Sequence, residues 1–237
     1  MKSYLTTLLT TFYAKRRHFI SLVSVSVLTI IVGAALFAMT EKAGSPKNQE
    51  VQAVSSNKNI KKATFAGGCF WCLEDPYDRL KGVSATVAGY IGDDRNSATY
   101  PKVSAGKTGH REALQVTYDS SIVTYEKLLY IFWRNIDPTD ERGQFCDKGF
   151  QYTTAIYPHD ANQLKEATAS KDTVAKKFKK QGVATQIITA DPGDFFPAED
   201  YHQDYYVKNP KRYKLYRYAC GRDQQLRKLW GDYAGGH

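Results

Sequence analysis

Residues 63 to 80 read ATFAGGCFWCLEDPYDRL, and this stretch decides how the folded part of the chain is built. Its first four residues are a short run typical of a β-strand, and Gly67-Gly68 ends that strand. The residues from Cys69 onward predict an α-helix that stops before Gly82, with Cys69 at its start. The stretch therefore predicts a strand, a glycine turn and a helix, with a cysteine at the junction.

Beyond this unit, strand-like and helix-like segments alternate toward the end of the chain. Apolar residues that alternate with small or polar ones predict further strands at 83–91, 112–118, 152–157 and 184–190. Apolar stripes and helix-end signals predict further helices at 124–135, between Asp160 and Gly182, and at 222–233. Interleaved strands and helices are typical of an α/β fold or an α+β sandwich.

The beginning of the chain has a different character. Residues 19–40 contain no charged side chain, and about 20 apolar residues span the hydrocarbon core of a bilayer. Basic residues at positions 15–17 precede this run, which predicts a cytoplasmic leader at 1–18 and a transmembrane helix at 19–40. The length of the run favours an uncleaved signal-anchor over a cleaved signal peptide. A buried helix in a soluble core is a third interpretation, which the absence of a polar face disfavours.

Composition limits the remaining classes. Residues 41–62 are polar and lack aromatic side chains, so we expect a flexible linker, then one folded domain at 63–237 on the extracytoplasmic, periplasmic side of the cell membrane. The chain has 33 Lys and Arg against 24 Asp and Glu, but residues 1–62 hold nine of the former and two of the latter. The domain itself therefore carries only about +2, which disfavours a nucleic-acid-binding protein.

Four cysteines lie in the domain: Cys69, Cys72, Cys146 and Cys220. In an oxidising compartment they could form two structural disulfides. The Cys69-x-x-Cys72 spacing favours a reactive site instead, because a helix N-terminus stabilises a thiolate and lowers its pKa. A zinc site is a weaker alternative, since no second Cys or His pair completes a tetrahedral ligand set.

The string Gly67-Gly68-Cys69-Phe70-Trp71-Cys72, followed by Glu74, resembles the signature of the A-type peptide methionine sulfoxide reductases, which reduce the S epimer of methionine sulfoxide. Further blocks match the same family in the same order: Tyr100, Gly109-His110-Arg111-Glu112, Tyr118-Asp119, Phe132-Trp133, Asp137-Pro138, Asp147, Gly149-Phe150-Gln151-Tyr152, Ala155-Ile156-Tyr157, residues 195–203 (FFPAEDYHQ) and Lys208-Asn209-Pro210. The resemblance covers about residues 63–210. It implies an α/β fold with a mixed sheet flanked by helices.

The resemblance also implies a mechanism. The thiolate of Cys69 is expected to attack the sulfoxide sulfur, which releases methionine and leaves a sulfenic acid on Cys69. Glu112 matches the family's acid, and a buried carboxyl with a raised pKa suits a proton donor near neutral pH. Tyr100 and Tyr152 match tyrosines that hydrogen-bond the same oxygen, and Asp147 matches a carboxylate that organises the site.

Two aromatic residues match the family's substrate pocket. Phe70 and Trp71 are expected to form an apolar cup for the S-methyl group, although a Phe-Trp pair on a helix is more often part of a core. Residues 199–202 are expected to support the site, and His110 to be structural.

A second thiol must resolve the sulfenic acid. Many family members have Gly at the position of Cys72, and members with two cysteines use the second, so Cys72 is the first choice. Cys220 is the rival because its surroundings resemble the family's C-terminal recycling cysteines, and the two could act in series. Cys146 is interpreted as a structural or spectator thiol.

The family pattern implies further properties. No metal or organic cofactor is expected, the protein is expected to be a monomer, and an external dithiol such as thioredoxin or a thioredoxin-like protein regenerates the enzyme. The substrates are oxidised proteins or peptides containing methionine sulfoxide, which makes the function protein repair.

Two other functions remain open. One is a thioredoxin-type thiol-disulfide oxidoreductase that uses Cys69 and Cys72 on protein disulfides. The other is an anchored, non-enzymatic binding module with stapled cysteines. Neither accounts for the block around Glu112.

Overall fold

A computed structural model describes residues 58–189 and 191–236. The predicted leader, the predicted transmembrane helix at 19–40 and most of the predicted linker lie outside these ranges. Inside them, no helix is both long and apolar enough to cross a membrane. The first strand begins at Ile60 and pairs with residues 114–119, so this strand starts three residues before the predicted boundary at 63.

The described part of the chain forms a six-stranded sheet and a small two-stranded ribbon. The strands are β1 (Ile60–Gly67), β2 (Val83–Ile91), β3 (Arg111–Asp119), β4 (Gly143–Gln144), β5 (Asp147–Lys148), β6 (Thr154–Tyr157), β7 (Gln186–Ile187) and β8 (Phe195–Pro197). The sheet order is β7-β6-β1-β3-β2-β8, and β4 pairs with β5. Only β6 and β7 run parallel, so the sheet is mixed, as expected.

Helices connect and cover the strands. They are α1 (Trp71–Asp78), α2 (Tyr100–Ser104), α3 (Tyr125–Arg134), α4 (Ala161–Lys177), α5 (Tyr205–Lys208), α6 (Pro210–Ala219) and α7 (Arg222–Trp230). The predicted start of α4 is confirmed, because the side chain of Asp160 accepts a hydrogen bond from the backbone N–H of Gln163 at 2.8 Å. The predicted α/β fold with a mixed sheet flanked by helices is confirmed.

The main core lies between one face of the sheet and helices α1, α3, α4 and α7. At its centre Phe65 of β1 stacks on Tyr77 of α1 and on Phe132 of α3, with ring centroids 5.6 and 5.2 Å apart. Full burial of such a side chain contributes about 1.5–3 kcal/mol to folding. Helix α1, which follows the Gly67-Gly68 turn, is therefore held against the central strand.

Strand β3 carries one polar residue into this buried face. Side chains alternate along a strand, so Leu114, Val116 and Tyr118 all face the helices, and Glu112 begins the same row. Glu112 is 2% exposed and lies opposite Tyr90 of β2. The fold thus places a carboxyl where the period of the strand calls for an apolar side chain.

Several predicted boundaries are wrong for reasons of pairing and turn geometry. Of the strand predicted at 184–190, β7 covers only Gln186 and Ile187, which pair with Ala155 and Ile156 of β6. Tyr152 ends a 3₁₀ turn (Phe150–Tyr152) rather than starting a strand. The helix predicted from Cys69 begins at Trp71, which leaves Cys69 in the preceding turn.

Candidate active site

The turn between β1 and α1 depends on glycine. Gly68 has φ +84°, and a Cβ there would lie 2.6 Å from the Cβ of Gln144. Gln144 cannot move away easily, because its side-chain amide accepts from the backbone N–H of Asp137 and donates to the carbonyl of Asp137, both at 2.8 Å. The close packing of this turn sets the direction in which Cys69 leaves it.

Seven of the predicted site residues meet at one cavity of about 70 Å³. The cavity is lined by Cys69, Phe70, Trp71, Tyr100, Glu112, Asp147, Tyr152 and Tyr216. Pockets that enclose a whole small molecule usually have several hundred Å³, so this one suits the end of a side chain. Tyr216 of α6 was not predicted, and nothing in the sequence distinguishes it among 17 tyrosines.

The surroundings of Glu112 favour its protonated carboxyl. Its Oε2 accepts a hydrogen bond from the backbone N–H of Phe70 at 3.1 Å, which ties the carboxyl to the turn that carries Cys69. Burial raises the pKa of Glu112 to about 8, against the lowering effect of that hydrogen bond. At neutral pH the carboxyl is therefore mostly protonated, as the sequence analysis expected.

The surroundings of two tyrosines of the cavity favour their protonated hydroxyls. Burial, followed by the charge of Glu112, raises the pKa of Tyr100 to about 12 and raises that of Tyr152 further. Glu199, one of the predicted supporting residues, accepts from the backbone N–H of Tyr100 and from the hydroxyl of Tyr90, both at 2.9 Å. Two protonated hydroxyls thus face the same cavity as Glu112.

The aromatic wall is held rigidly. Trp71 stacks on Tyr205 of α5 with ring centroids 3.7 Å apart and planes within 6°. The indole Nε1–H of Trp71 donates to Nδ1 of His202 at 3.1 Å. Burial lowers the pKa of His202, so its ring is neutral and carries its proton on Nε2. Phe70 lies 5.1 Å from the His202 ring, which completes an apolar side of the cavity.

Asp147 faces the cavity from β5 with a partner on α6. The hydroxyl of Tyr216 donates to Oδ2 of Asp147 at 2.5 Å. Burial raises the pKa of Asp147, while this hydrogen bond and the charge of Arg222 lower it. Asp147 is therefore oriented by a residue from the C-terminal helices, which lie beyond the motif blocks.

Cys69 and Cys72 are free and buried, and the backbone N–H of Cys72 donates to the carbonyl of Cys69 at 3.0 Å, which holds the two residues in one turn. Burial, followed by the neighbouring thiol of Cys72, raises the pKa of Cys69. Cys72 has its pKa lowered to about 6, because the neighbouring thiol of Cys69 and the charges of Arg222 and Arg217 favour its thiolate. The predicted lowering of the pKa of Cys69 is not found, since Cys69 precedes the helix and is buried.

Cys146 and Cys220 form a disulfide. The bond joins the turn between β4 and β5 to the residue that ends α6. Of the two interpretations of Cys146, the structural one agrees with this disulfide and the spectator thiol does not, and Cys220 has no free thiol to offer Cys69 in this state. The sequence could not reveal this pairing, because the two cysteines are 74 residues apart.

Comparison with known proteins shows which family this chain resembles. Residues 61–234 match the family model for peptide methionine sulfoxide reductase. Peptide methionine sulfoxide reductase MsrA of Bacillus licheniformis is 47% identical over 170 residues, which are 71% of this chain and 93% of that protein. Peptide methionine sulfoxide reductase MsrA/MsrB of Vibrio cholerae is 46% identical over 207 residues, or 83% of this chain, which spans about half (52%) of that longer relative.

Two solved structures resemble the fold at moderate identity. Reduced Mxr1 from Saccharomyces cerevisiae has a TM-score of 0.58 at 32% identity, and the match covers 65% of this chain and 87% of that one. Methionine sulfoxide reductase A of Corynebacterium diphtheriae has a TM-score of 0.60 at 30% identity, over 65% and 77% of the two chains. The similarity therefore covers both sequence and architecture.

Proposed function

This chain belongs to the peptide methionine sulfoxide reductase family, and from that premise we propose that it reduces the S epimer of methionine sulfoxide, free or in proteins, to methionine. The observation that carries the proposal is the cavity in which the sulfur of Cys69, the protonated carboxyl of Glu112 and an aromatic wall face the same small volume. A sulfoxide needs all three, since its sulfur is attacked, its oxygen is protonated and its methyl group is apolar.

Substrate binding follows from the lining of the cavity. The methyl group lies against Phe70 and Trp71, where desolvation favours an apolar group. The sulfoxide oxygen points toward the carboxyl of Glu112 and the hydroxyls of Tyr100 and Tyr152, which are all protonated near pH 7. The opposite epimer would exchange the methyl and oxygen positions and place a polar oxygen on the aromatic wall.

The first chemical step transfers oxygen. The sulfur of Cys69 attacks the sulfoxide sulfur while Glu112 donates a proton to the oxygen, and the proton of the Cys69 thiol replaces it. The sulfur–oxygen bond of the substrate breaks and the oxygen ends on Cys69 as a sulfenic acid. The substrate sulfur gains two electrons, Cys69 loses two, and methionine is released.

The second step forms a disulfide. The thiolate of Cys72 attacks the sulfenic sulfur of Cys69, an S–S bond replaces the S–O bond, and the departing hydroxide takes a proton and leaves as water. The position of Cys72 in the same turn as Cys69 supports Cys72 as the resolving residue, and the bond of Cys220 to Cys146 argues against Cys220. An external dithiol protein of the thioredoxin class then reduces the Cys69–Cys72 disulfide.

A chiral assay tests the function. The full chain, purified in mild detergent, is incubated with dabsylated racemic methionine sulfoxide and dithiothreitol, and the two epimers are separated. We expect half of the racemate to be consumed, and Cys69→Ser to abolish consumption. If neither epimer is consumed, the proposal fails and a binding module becomes the better interpretation, whereas reduction of a protein disulfide alone favours a thioredoxin-type enzyme.

We also propose that residues 19–40 anchor the protein in the cell membrane with the catalytic domain on the periplasmic side. The support is the uncharged run and the basic residues before it. Two separate assays test this. Carbonate extraction of isolated membranes shows whether the protein is integral, and protease treatment of intact spheroplasts shows whether the domain is on the outer side. Recovery of the full-length protein in the soluble fraction would contradict it.

A further inference from the structure

Arg222, the first residue of α7, is a buried charged residue that has no ion-pair partner in the described ranges. It is 1% exposed, and its Nη2 donates to the carbonyls of Gly67 at 3.1 Å and Asn135 at 2.7 Å. Its Nε and Nη1 have no hydrogen-bond partner among the described residues. None of the ion pairs formed by the described residues includes Arg222. A buried cation of this kind is costly unless an anion lies nearby.

The guanidinium lies directly behind the active-site turn. Besides its bond to the carbonyl of Gly67, its Nη1 is 3.6 Å from the position that a Cβ on Gly68 would take. Its other side covers the ring of Phe145, with the guanidinium carbon 4.5 Å from the centroid. The positive charge is thus held against the backbone that carries Cys69 and leads into α1.

The Cys146–Cys220 disulfide braces this arrangement. Cys146 follows Phe145, on which the guanidinium stacks, and Cys220 lies two residues before Arg222. The bond therefore holds together the two segments that enclose the arginine. This explains how a charge from the C-terminal helices reaches the centre of the molecule.

The charge of Arg222 acts on the thiol pair next to this turn. Arg222 lowers the pKa of Cys72, after the larger effect of the neighbouring thiol of Cys69, and its charge also lowers the pKa of Asp147 against the raising effect of burial. Other titratable or charged groups act on Cys72 from the elements around it, namely Cys69 from the turn, Glu112 from β3, Asp147 from β5, and Tyr213, Tyr216 and Arg217 from α6. Arg217 already has a carboxylate partner, because its Nη2 lies 2.6 Å from Asp223.

We propose that Arg222 is a positioning residue whose buried positive charge keeps Cys72 as the thiolate that attacks the Cys69 sulfenic acid. The inference rests on the proposed reductase function, which it deepens. The thiolate is the nucleophile in disulfide formation, so the rate of the resolving step follows the fraction of Cys72 that is ionised. The cation also becomes less stabilised once the Cys69–Cys72 disulfide removes the negative charge, which favours return to the dithiol.

The test measures the ionisation of Cys72 directly. In the full chain with Cys69→Ser, the rate of iodoacetamide alkylation of Cys72 is followed against pH by mass spectrometry, with the Cys146–Cys220 disulfide intact. Arg222→Gln removes the charge and keeps polar groups near Gly67 and Asn135. We expect its titration midpoint to rise by about one pH unit, a tenfold change in the ionisation constant of Cys72.

Two further variants keep the test decisive. Arg222→Lys retains the charge, so its midpoint should stay near that of the unsubstituted chain even if the protein is less stable. Arg227→Met removes an exposed positive charge from the same helix and should leave the titration unchanged. An unchanged midpoint in Arg222→Gln overturns the inference. A raised midpoint in Arg222→Lys overturns it as well. If Arg222→Gln does not fold, the Arg222→Lys result decides by itself.

The alkylation readout needs no sulfoxide and no turnover. If the chain reduces no sulfoxide but the midpoint shifts with the charge at position 222, the proposed function fails and the electrostatic role stands. If the chain is an active reductase and the midpoint does not shift, only the role of Arg222 fails.

Discussion

The two cysteine pairs of this domain differ in almost every physical respect. Cys69 and Cys72 are three residues apart, buried and free, and each shifts the pKa of the other. Cys146 and Cys220 are 74 residues apart, bonded to each other and at least partly exposed. The local pair is surrounded by ionisable groups that shift its pKa values, whereas the distant pair closes a long loop. Residue type alone did not assign these roles, and packing did.

Replacing the second cysteine of each pair tests most directly whether the two pairs have different roles. With thioredoxin and thioredoxin reductase as the electron source, we expect Cys72→Ser to release one equivalent of methionine and then stop, because the sulfenic acid has no neighbouring thiol. Cys220→Ser should continue to cycle. NADPH consumption and the burst of methionine measure both, and cycling by Cys72→Ser would transfer the resolving role to another residue.

The pH dependence of the single-turnover rate also separates the two pairs, because only the reaction at Cys69 and Cys72 depends on a proton donor. Glu112 is protonated below its raised pKa of about 8, so single-turnover rates should fall as the pH rises through 8. Glu112→Gln cannot transfer a proton and should lose about 10²–10⁴ in rate. A single-turnover profile measured from pH 6 to 10 tests this, and a Glu112→Gln variant that retains the fall above pH 8 would contradict the assignment.

The distant pair should matter for stability. Removing the cross-link with Cys146→Ser and Cys220→Ser together should lower the free energy of unfolding by about 2–4 kcal/mol, since the unfolded chain regains the freedom of a long loop. The matched control is Cys69→Ser with Cys72→Ser, which removes no cross-link from the structure. Urea unfolding followed by tryptophan fluorescence measures both, and equal losses would mean that the disulfide adds nothing.

The smallest expected effect comes from the residue that connects the two regions. Tyr216→Phe removes the hydroxyl that donates to Asp147, a hydrogen bond that lowers the pKa of that carboxyl. A hydrogen bond to a charged group contributes about 1.5 kcal/mol or more, so we expect about a tenfold loss in kcat/KM. Steady-state kinetics at several pH values test this, and an unchanged kcat/KM would show that Asp147 is oriented without Tyr216.

Local signals predicted much of the fold correctly. The Asp160 cap, the stripe of α3 and the alternation of β3 each depend on residues close in sequence, and all three appear in the structure. The boundaries of β7 were less predictable, because the length of an edge strand depends on how it pairs with a segment distant in sequence. The row that Glu112 shares with Leu114 and Val116 is a signal that was available, since a carboxyl at a core position of a strand indicates a buried acid.

The sequence by itself determined the strand-turn-helix unit, the mixed fold class and the set of residues that its motifs bring to one cavity, because these depend on short-range periodicity, glycine geometry and ordered motif blocks. The tertiary structure alone decided that Cys146 pairs with Cys220, that Tyr216 reaches Asp147 and that Arg222 lies behind the turn of Cys69. Each of these depends on burial and on charges from distant segments. Electrostatic energies in a buried site are set by neighbours in space, and the order of residues along the chain does not specify those neighbours.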